Sequence, residues 1–227
     1  MNDLMTSEVA VRLGVSQQRV TQMLRAGKLG GHQLIDGTWL IDDSSLAAYS
    51  HLDAGLGRQW SHATSWAILA ELSGFPGPAV SSRTRSRLRN RLRTGSMEQL
   101  AMKVASRMKV HRFAADSLET TWSDLVLTGR SAAETIDGNL APQRRALEGY
   151  LRQGTLNDFA LKHLLVPDAR GDVTIYEHPD DVKFDDRFAP VAVVAADLTR
   201  SLATRERSAG LRVLEDVRKQ WLANHTS

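Results

Sequence analysis

Between residues 6 and 24 the apolar positions come at helical spacing in two short bursts separated by one glycine. Val9, Ala10 and Leu13 make one stripe and Val20, Met23 and Leu24 another, which predicts two short helices on either side of Gly14. Thr6 stands where a first helix is capped, and Glu8 suits the positive end of its dipole. Gly14 fits a left-handed turn, Val15 is expected to drop into the small core behind it, and Ser16 to cap the second helix. The pattern then changes period. Leu29 to Ile35 reads as a strand, Asp36-Gly37 as a hairpin turn and Thr38 to Ile41 as a second strand, with Trp39 packing the hairpin onto the helices. DDSSLAAY reads as a capped third helix in which Leu46, Ala47 and Tyr49 fold back to close the module.

A break in periodicity at HLDAGLGR, His51 to Arg58, marks a boundary. Beyond it WSHATSWAILAELSG predicts a helix with Ser61 or Thr64 as cap and Trp66, Ile68, Leu69 and Leu72 buried, ended by Phe75-Pro-Gly-Pro78. In SSRTRSRLRNRLRTGS, Leu88 and Leu92 share one helical face while Arg83, Arg85, Arg87, Arg89, Arg91 and Arg93 occupy every second position, giving a positive ridge. Residues 97 to 115 predict a helix running into a strand near Val110 to Phe113. Leu125 to Leu127 reads as a short strand before a helix at Ser131, with Gly129 as that helix's cap. Asn139-Leu-Ala-Pro142 is a second linker candidate. The remainder alternates: a helix from Thr155 to His163, a turn at Pro167 to Gly171, a strand from Asp172 to Tyr176, an acidic loop and a long helix from Thr204 to about Ala223. On that last helix Leu211, Leu214, Val217 and Trp221 share a face that serves either the core or a dimer seam.

The predicted fold class is therefore α+β and mainly helical: a winged helix-turn-helix followed by a larger mixed α/β domain. Residues 1–52 form the first unit and 58–227 the second, with a subdivision near 139–142. A chain of 227 residues is long enough for this. It has no cysteine, which removes disulfides and cysteine-ligated zinc and fits a cytoplasmic setting. No basic-then-apolar leader opens the chain and no apolar run approaches membrane-spanning length, so no membrane partner is expected. The net charge of +3 is too small to decide on nucleic acid.

The distribution of charge is more telling. The outward face of the second helix carries Gln17, Gln18, Arg19, Thr21, Gln22 and Arg25, without one acid. Glutamine pairs both edge groups of adenine, arginine both acceptors of guanine, and threonine a phosphate or a thymine methyl. This is the repertoire of a recognition helix in a major groove. Ser16 at its start, and Lys28, His32 and Thr38 on the hairpin, are placed to reach adjacent phosphates or the minor groove. The arginine ridge, Arg83 to Arg93, adds sequence-blind affinity for the DNA backbone, meets an acidic partner protein, or remains a solvated face.

Residues 4 to 50 resemble the small winged helix-turn-helix domains of the excisionase and MerR-like class. The order of EVA, LGVS, a basic helix, RAGKL, a strand pair with a central tryptophan and a helix ending in LAAY carries the likeness. A wider likeness covers much of residues 57 to 216: GRQWSHATSWAILAELSG, LTGRSAA, GDVTIYEHPDD, APVAVVAADL and SLATRERSAGL are similar to actinobacterial AbiEi-type proteins. That resemblance implies a transcriptional repressor of its own operon that is also the antitoxin of a toxin-antitoxin system with a nucleotidyltransferase-like toxin. The partners then expected are double-stranded DNA, as an inverted-repeat operator, the cognate toxin, and a second copy in a homodimer.

Catalysis finds little support. Gly95-Ser96 is not followed by the carboxylate pair a nucleotidyltransferase needs for magnesium. Asp180-Asp181 and Asp185-Asp186 are adjacent acids whose side chains diverge in an extended loop. His163 and His178 stand apart from any Ser/Asp set, and no H-x-x-x-H or H-E-x-x-H is present. No catalytic residue, metal or cofactor is assigned, and the chain is not expected to be an enzyme. The competing functions are an excisionase-like architectural protein and an interaction protein using the arginine ridge on an acidic partner.

Overall fold

The computed structural model describes residues 3–25, 29–53, 60–105, 107, 109–119, 121–140, 145–168 and 170–225. It is a mixed α/β structure, about half helical, with two sheets. The first elements are β1 (Asp3–Met5), α1 (Thr6–Leu13), α2 (Gln17–Arg25), β2 (Gly31–Gln33), β3 (Trp39–Asp42) and α3 (Asp43–Asp53). Val9, Ala10, Val20, Met23, Leu24, Leu29, Ile41 and Leu46 pack with Leu4 into one small core, against which Leu13, Trp39 and Tyr49 lie half-buried.

Local chemistry explains the α1–α2 turn. Gly14 sits at φ 65°, its N–H donates to the Val11 carbonyl at 3.2 Å, and the Val15 N–H reaches back to Ala10 at 3.0 Å. This pairing is the Schellman ending, and it explains why Val15 stays 38% exposed rather than entering the core: its hydrophobic mate is Ala10, too small to cover it. An added methyl at Gly14 meets nothing within 4 Å, so Gly14→Ala carries the backbone term alone. It is expected to cost about 1–2 kcal/mol, read as a lowered melting temperature.

Two further expectations for this region are corrected and a third is extended. Thr6 is the first helical residue rather than the cap, because β1 runs through Met5; Glu8 accepts the Met5 N–H at 2.7 Å instead. The two-stranded hairpin is part of a three-stranded antiparallel sheet in the order β1-β3-β2. Ala47 is exposed, since the inward face of α3 runs through Leu46 and Tyr49. That helix also continues to Asp53, into the stretch expected to break periodicity; residues 54–58 of that boundary lie outside the described residues.

The larger core gathers α4 (His62–Ser73), α5 (Ser82–Thr94), α6 (Met97–Ala105), β4 (Val110–Ala114), β5 (Leu125–Leu127), β6 (Leu147–Leu151), α7 (Leu156–Lys162), β7 (Val166–Pro167), β8 (Val173–Tyr176), α8 (Val191–Leu198) and α9 (Thr204–His225). Its sheet runs β5-β6-β8-β4-β7, antiparallel except where β6 and β8 pair in parallel. Ser61 caps α4 by accepting the Thr64 N–H. Gly129 does not cap a helix in the expected way: at φ 52° it opens a 3-10 segment, Gly129–Thr135, and the Glu148 carboxylate closes over it to take the Arg130 N–H. Of the linker candidate 139–142, Asn139 and Leu140 are described and Leu140 is buried; the other two residues lie outside the described set.

Helix α8 is buried from Ala192 to Leu198, and α9 crosses it closely: a Cβ at Gly210 would lie 2.5 Å from the Ala195 carbonyl. The apolar face of α9 faces the core, with Leu214 and Trp221 buried and Leu211 and Val217 packed beside them. It is therefore not a free dimer seam. The first six elements meet this larger part through ion pairs between Asp3 and Arg170 and between Asp42 and Arg112, the latter at 3.4 Å. Among the described residues no helix is long and apolar enough to cross a membrane.

Candidate nucleic-acid interface

Helix α2 buries Val20, Met23 and Leu24, which forces the intervening positions outward. Gln17, Gln18, Arg19, Gln22 and Arg25 are exposed and Thr21 is half-buried, its hydroxyl turned back to the Gln17 carbonyl at 3.1 Å. Ser16 Oγ accepts the Arg19 N–H at 3.2 Å, so its hydroxyl is committed to capping. Arg19 touches Gln22 at 3.4 Å, a long contact that leaves most of the guanidinium free. No acid lies on the helix. The first six elements meet the larger part through β1, β3 and α3, and Gln17, Gln18, Arg19, Gln22 and Arg25 remain exposed.

The β2–β3 hairpin is stiffened by its own hydrogen bonds. Gly37 at φ 86° turns the chain, the Leu34 N–H and the Thr38 carbonyl pair at 2.8 Å, and Asp36 accepts the Thr38 N–H at 2.9 Å. Hydrogen bonds from Thr38 hold the Asp36 carboxyl below the usual carboxylate range. His32 is exposed and Thr38 half-buried, while Lys28 lies outside the described residues. The tip itself is Leu34, Ile35 and Asp36, with Ile35 fully exposed and no base among the three.

Leu88 and Leu92 of α5 are buried, but the six arginines do not form one uniform ridge. Arg89 pairs with Glu71 at 2.8 Å, Arg91 lies over the Trp60 ring and Arg93 over Trp221, each at 5.6 Å. Arg218 of α9 donates to the Leu92 and Arg93 carbonyls and so anchors the end of α5. Arg83, Arg85 and Arg87 remain exposed, with no ion pair among the described residues. Arg85 and Arg89 also line a cleft of about 200 Å³ with Glu71, Phe75, Pro78 and Leu88.

The strongest polar cluster was not legible as a site. Arg107 and Asp197 are both fully buried and ion-paired. Arg107 also donates to the Tyr150 hydroxyl at 3.1 Å and the Val104 carbonyl at 3.0 Å, and lies 5.1 Å from the Trp66 ring centre. Tyr150 and Thr128 donate to Asp197 Oδ2 at 2.8 and 2.6 Å. Burial works against the Arg107 charge, yet Asp197 and Tyr150 outweigh it and raise its pKa; burial pushes the Tyr150 phenol up. This cluster ties α4, Arg107 just beyond α6, β5–β6 and α8 together inside the core, where a ligand has no approach. The one sequence signal for it is an acid inside the apolar run APVAVVAADL, since a buried carboxylate needs a partner.

His163 proves less isolated than its sequence context suggests: its Nε2 lies 2.8 Å from Asp124 Oδ2, which also receives Lys162 at 2.5 Å. Hydrogen bonds from Lys162 and His163 pull the Asp124 pKa down. The four acids at 180, 181, 185 and 186 are exposed in a loop. Among the described residues no group of three or more His, Asp or Glu side chains is arranged to hold a metal ion. Comparison with protein-family models, with curated proteins and with solved structures finds no match, so function is argued from geometry and chemistry.

Proposed function

We propose that this chain is a sequence-specific regulator that binds double-stranded DNA, with residues 3–53 acting as a winged helix-turn-helix and α2 entering the major groove. The observation that carries this reading is the exposed, acid-free face of Gln17, Gln18, Arg19, Gln22 and Arg25. A helix whose outward face is merely solvated gains from mixed charge and from pairs of opposite sign one turn apart. This one forgoes both and presents bidentate hydrogen-bonding groups instead. The hairpin then acts as the wing through His32 and Thr38. Because its tip carries no base, phosphate neutralisation falls to Arg25 and the free arginines of α5.

The role is non-catalytic and cytoplasmic in this reading. A single module of this size binds modestly, and two copies on an inverted repeat multiply the affinity. Selection from randomised duplexes is expected to enrich one site with two half-sites, and deletion of one half-site to weaken binding at least about tenfold. A pool that enriches nothing, with equal binding to scrambled DNA, removes the proposal. The autorepressing antitoxin role rests on the AbiEi-type resemblance alone. It is tested by whether co-expression relieves growth arrest caused by a nucleotidyltransferase-like protein encoded beside it.

The free arginines of α5 favour one subsidiary reading, contact with phosphates or with an acidic protein. Arg87→Ala is expected to lower the slope of log affinity against log salt by about 1 while leaving base preference intact. An unchanged slope assigns these side chains to a protein partner or to solvent.

A further inference from the structure

The cleft between α4 and α5 has its origin in the small residues of α4. That helix turns its large side chains, Trp66, Ile68, Leu69 and Leu72, into the core and presents Ala67 and Ala70 to the cleft. The loop 75–78 closes one end and lies flush on the helix: a Cβ at Gly77 would fall 2.4 Å from the Ala70 Cβ. Phe75 is fixed by the Phe184 ring, 5.7 Å away, and Leu88 is held by its burial in the core. What remains is an open space of about 200 Å³ over an apolar floor. An engineered apolar cavity of about 150 Å³ holds benzene, so this space takes one ring or a branched chain of similar size.

The rim of the cleft is positive. Arg85 and Arg89 lie one turn apart on α5 and both line it. Arg85 is exposed, with no ion pair among the described residues. Arg89 gives only its Nε–H to Glu71, at 2.8 Å, and both of its Nη groups stay without a hydrogen-bond partner among the described residues. Like charges at this spacing repel along a helix, and two guanidiniums against one carboxylate leave an excess of positive charge. A free phosphate answers the charge but leaves the apolar floor wet. A carboxylate matches the guanidinium fork, and an apolar body attached to it covers the floor.

We propose that this cleft binds a small molecule carrying a carboxylate on an aromatic or branched aliphatic body, with the carboxylate on Arg85 and Arg89 and the body on Phe75, Val80 and Leu88. The space is small and half-open, so the smallest such ligand binds with a dissociation constant on the order of 1 mM. In a DNA-binding regulator such a molecule is an effector, because it withdraws Arg85 from the duplex backbone. That consequence rests on the proposed DNA contact of α5, whereas the binding site itself does not.

Benzoate is the probe, added to the full chain at constant ionic strength and followed through amide chemical shifts. The amides of Ala70, Glu71, Gly77 and Leu88 are expected to shift and saturate together. Acetate has the charge without the ring, benzyl alcohol the ring without the charge; each of these, and inorganic phosphate, is expected to bind at least about tenfold more weakly. Arg85→Gln alters an exposed side chain and leaves the core untouched; it is expected to weaken benzoate binding about tenfold, while Arg83→Gln, on the same helix but outside the cleft, changes nothing. Shifts that never saturate, phosphate binding as strong as benzoate, or benzoate binding unchanged in Arg85→Gln overturns the proposal and leaves these arginines to a phosphate backbone, an acidic protein or solvent. On duplex DNA, saturating benzoate is expected to lower affinity several-fold against a sodium chloride control of equal ionic strength. If benzoate occupies the cleft while duplex affinity holds, or while no duplex is bound at all, the binding site stands and the DNA contact of α5 fails.

Discussion

Replacing Asp197 by alanine is expected to destabilise the larger part of the chain by about 3–5 kcal/mol, a large share of the about 5–15 kcal/mol that holds a typical domain. The reason is the charge left behind. Arg107 is fully buried, and without Asp197 its guanidinium keeps only the Tyr150 hydroxyl and the Val104 carbonyl. Thr128 and Tyr150 lose their acceptor at the same time. The opposite design makes the claim sharper. Arg107→Met with Asp197→Leu removes both charges and is expected to recover most of the loss, because a buried ion pair repays little more than its own desolvation. Urea denaturation followed by tryptophan fluorescence reads this, since buried Trp66 lies against the guanidinium. A single-variant loss below about 1 kcal/mol shows that the cluster does not organise this core.

The same cluster marks where sequence reading reached its limit. Arg107 lies in a basic stretch and reads as surface; its partner is 90 positions away in α8, and no local periodicity links them. Strand β6, Leu147–Leu151, escaped notice for a similar reason. Its neighbours are the distant β8 and the antiparallel β5, and burial on both faces erases the alternation that identifies a strand. β1 was missed because only its pairing with β3 makes it a strand. What was legible was local: the glycine-ended α1, the stripe of α2, the Asp36-Gly37 turn, and the buried sides of α4, α5 and α9 depend on spacing and backbone chemistry within a few residues. The misplacement of Val15 belongs to the same scale, since the size of Ala10 decided it. For the candidate interface, the residue types on α2 were readable, because burying Val20, Met23 and Leu24 leaves their neighbours only one way to face.

Arg19→Ala and Gln18→Ala carry the largest expected effect on DNA recognition. Each removes one bidentate partner for a base edge, worth about 1–3 kcal/mol of discrimination, or roughly five- to 150-fold in the ratio of specific to scrambled binding. The two should differ in their response to salt. Arg19 carries charge, so its loss weakens binding to every sequence and lowers the salt slope, whereas Gln18 is neutral and its loss erodes preference while the slope holds. Neither side chain contributes to the small core, so the melting temperature should move by no more than surface substitutions usually allow. Gln22, which shares a contact with Arg19, supplies the internal check: Gln22→Ala frees the guanidinium to reorient, and the double variant with Arg19→Ala should depart from additivity. Titrations of specific and scrambled duplexes across a salt series separate these outcomes. If both single variants keep the wild-type ratio, α2 does not read bases, and the acid-free face has no sequence-reading role.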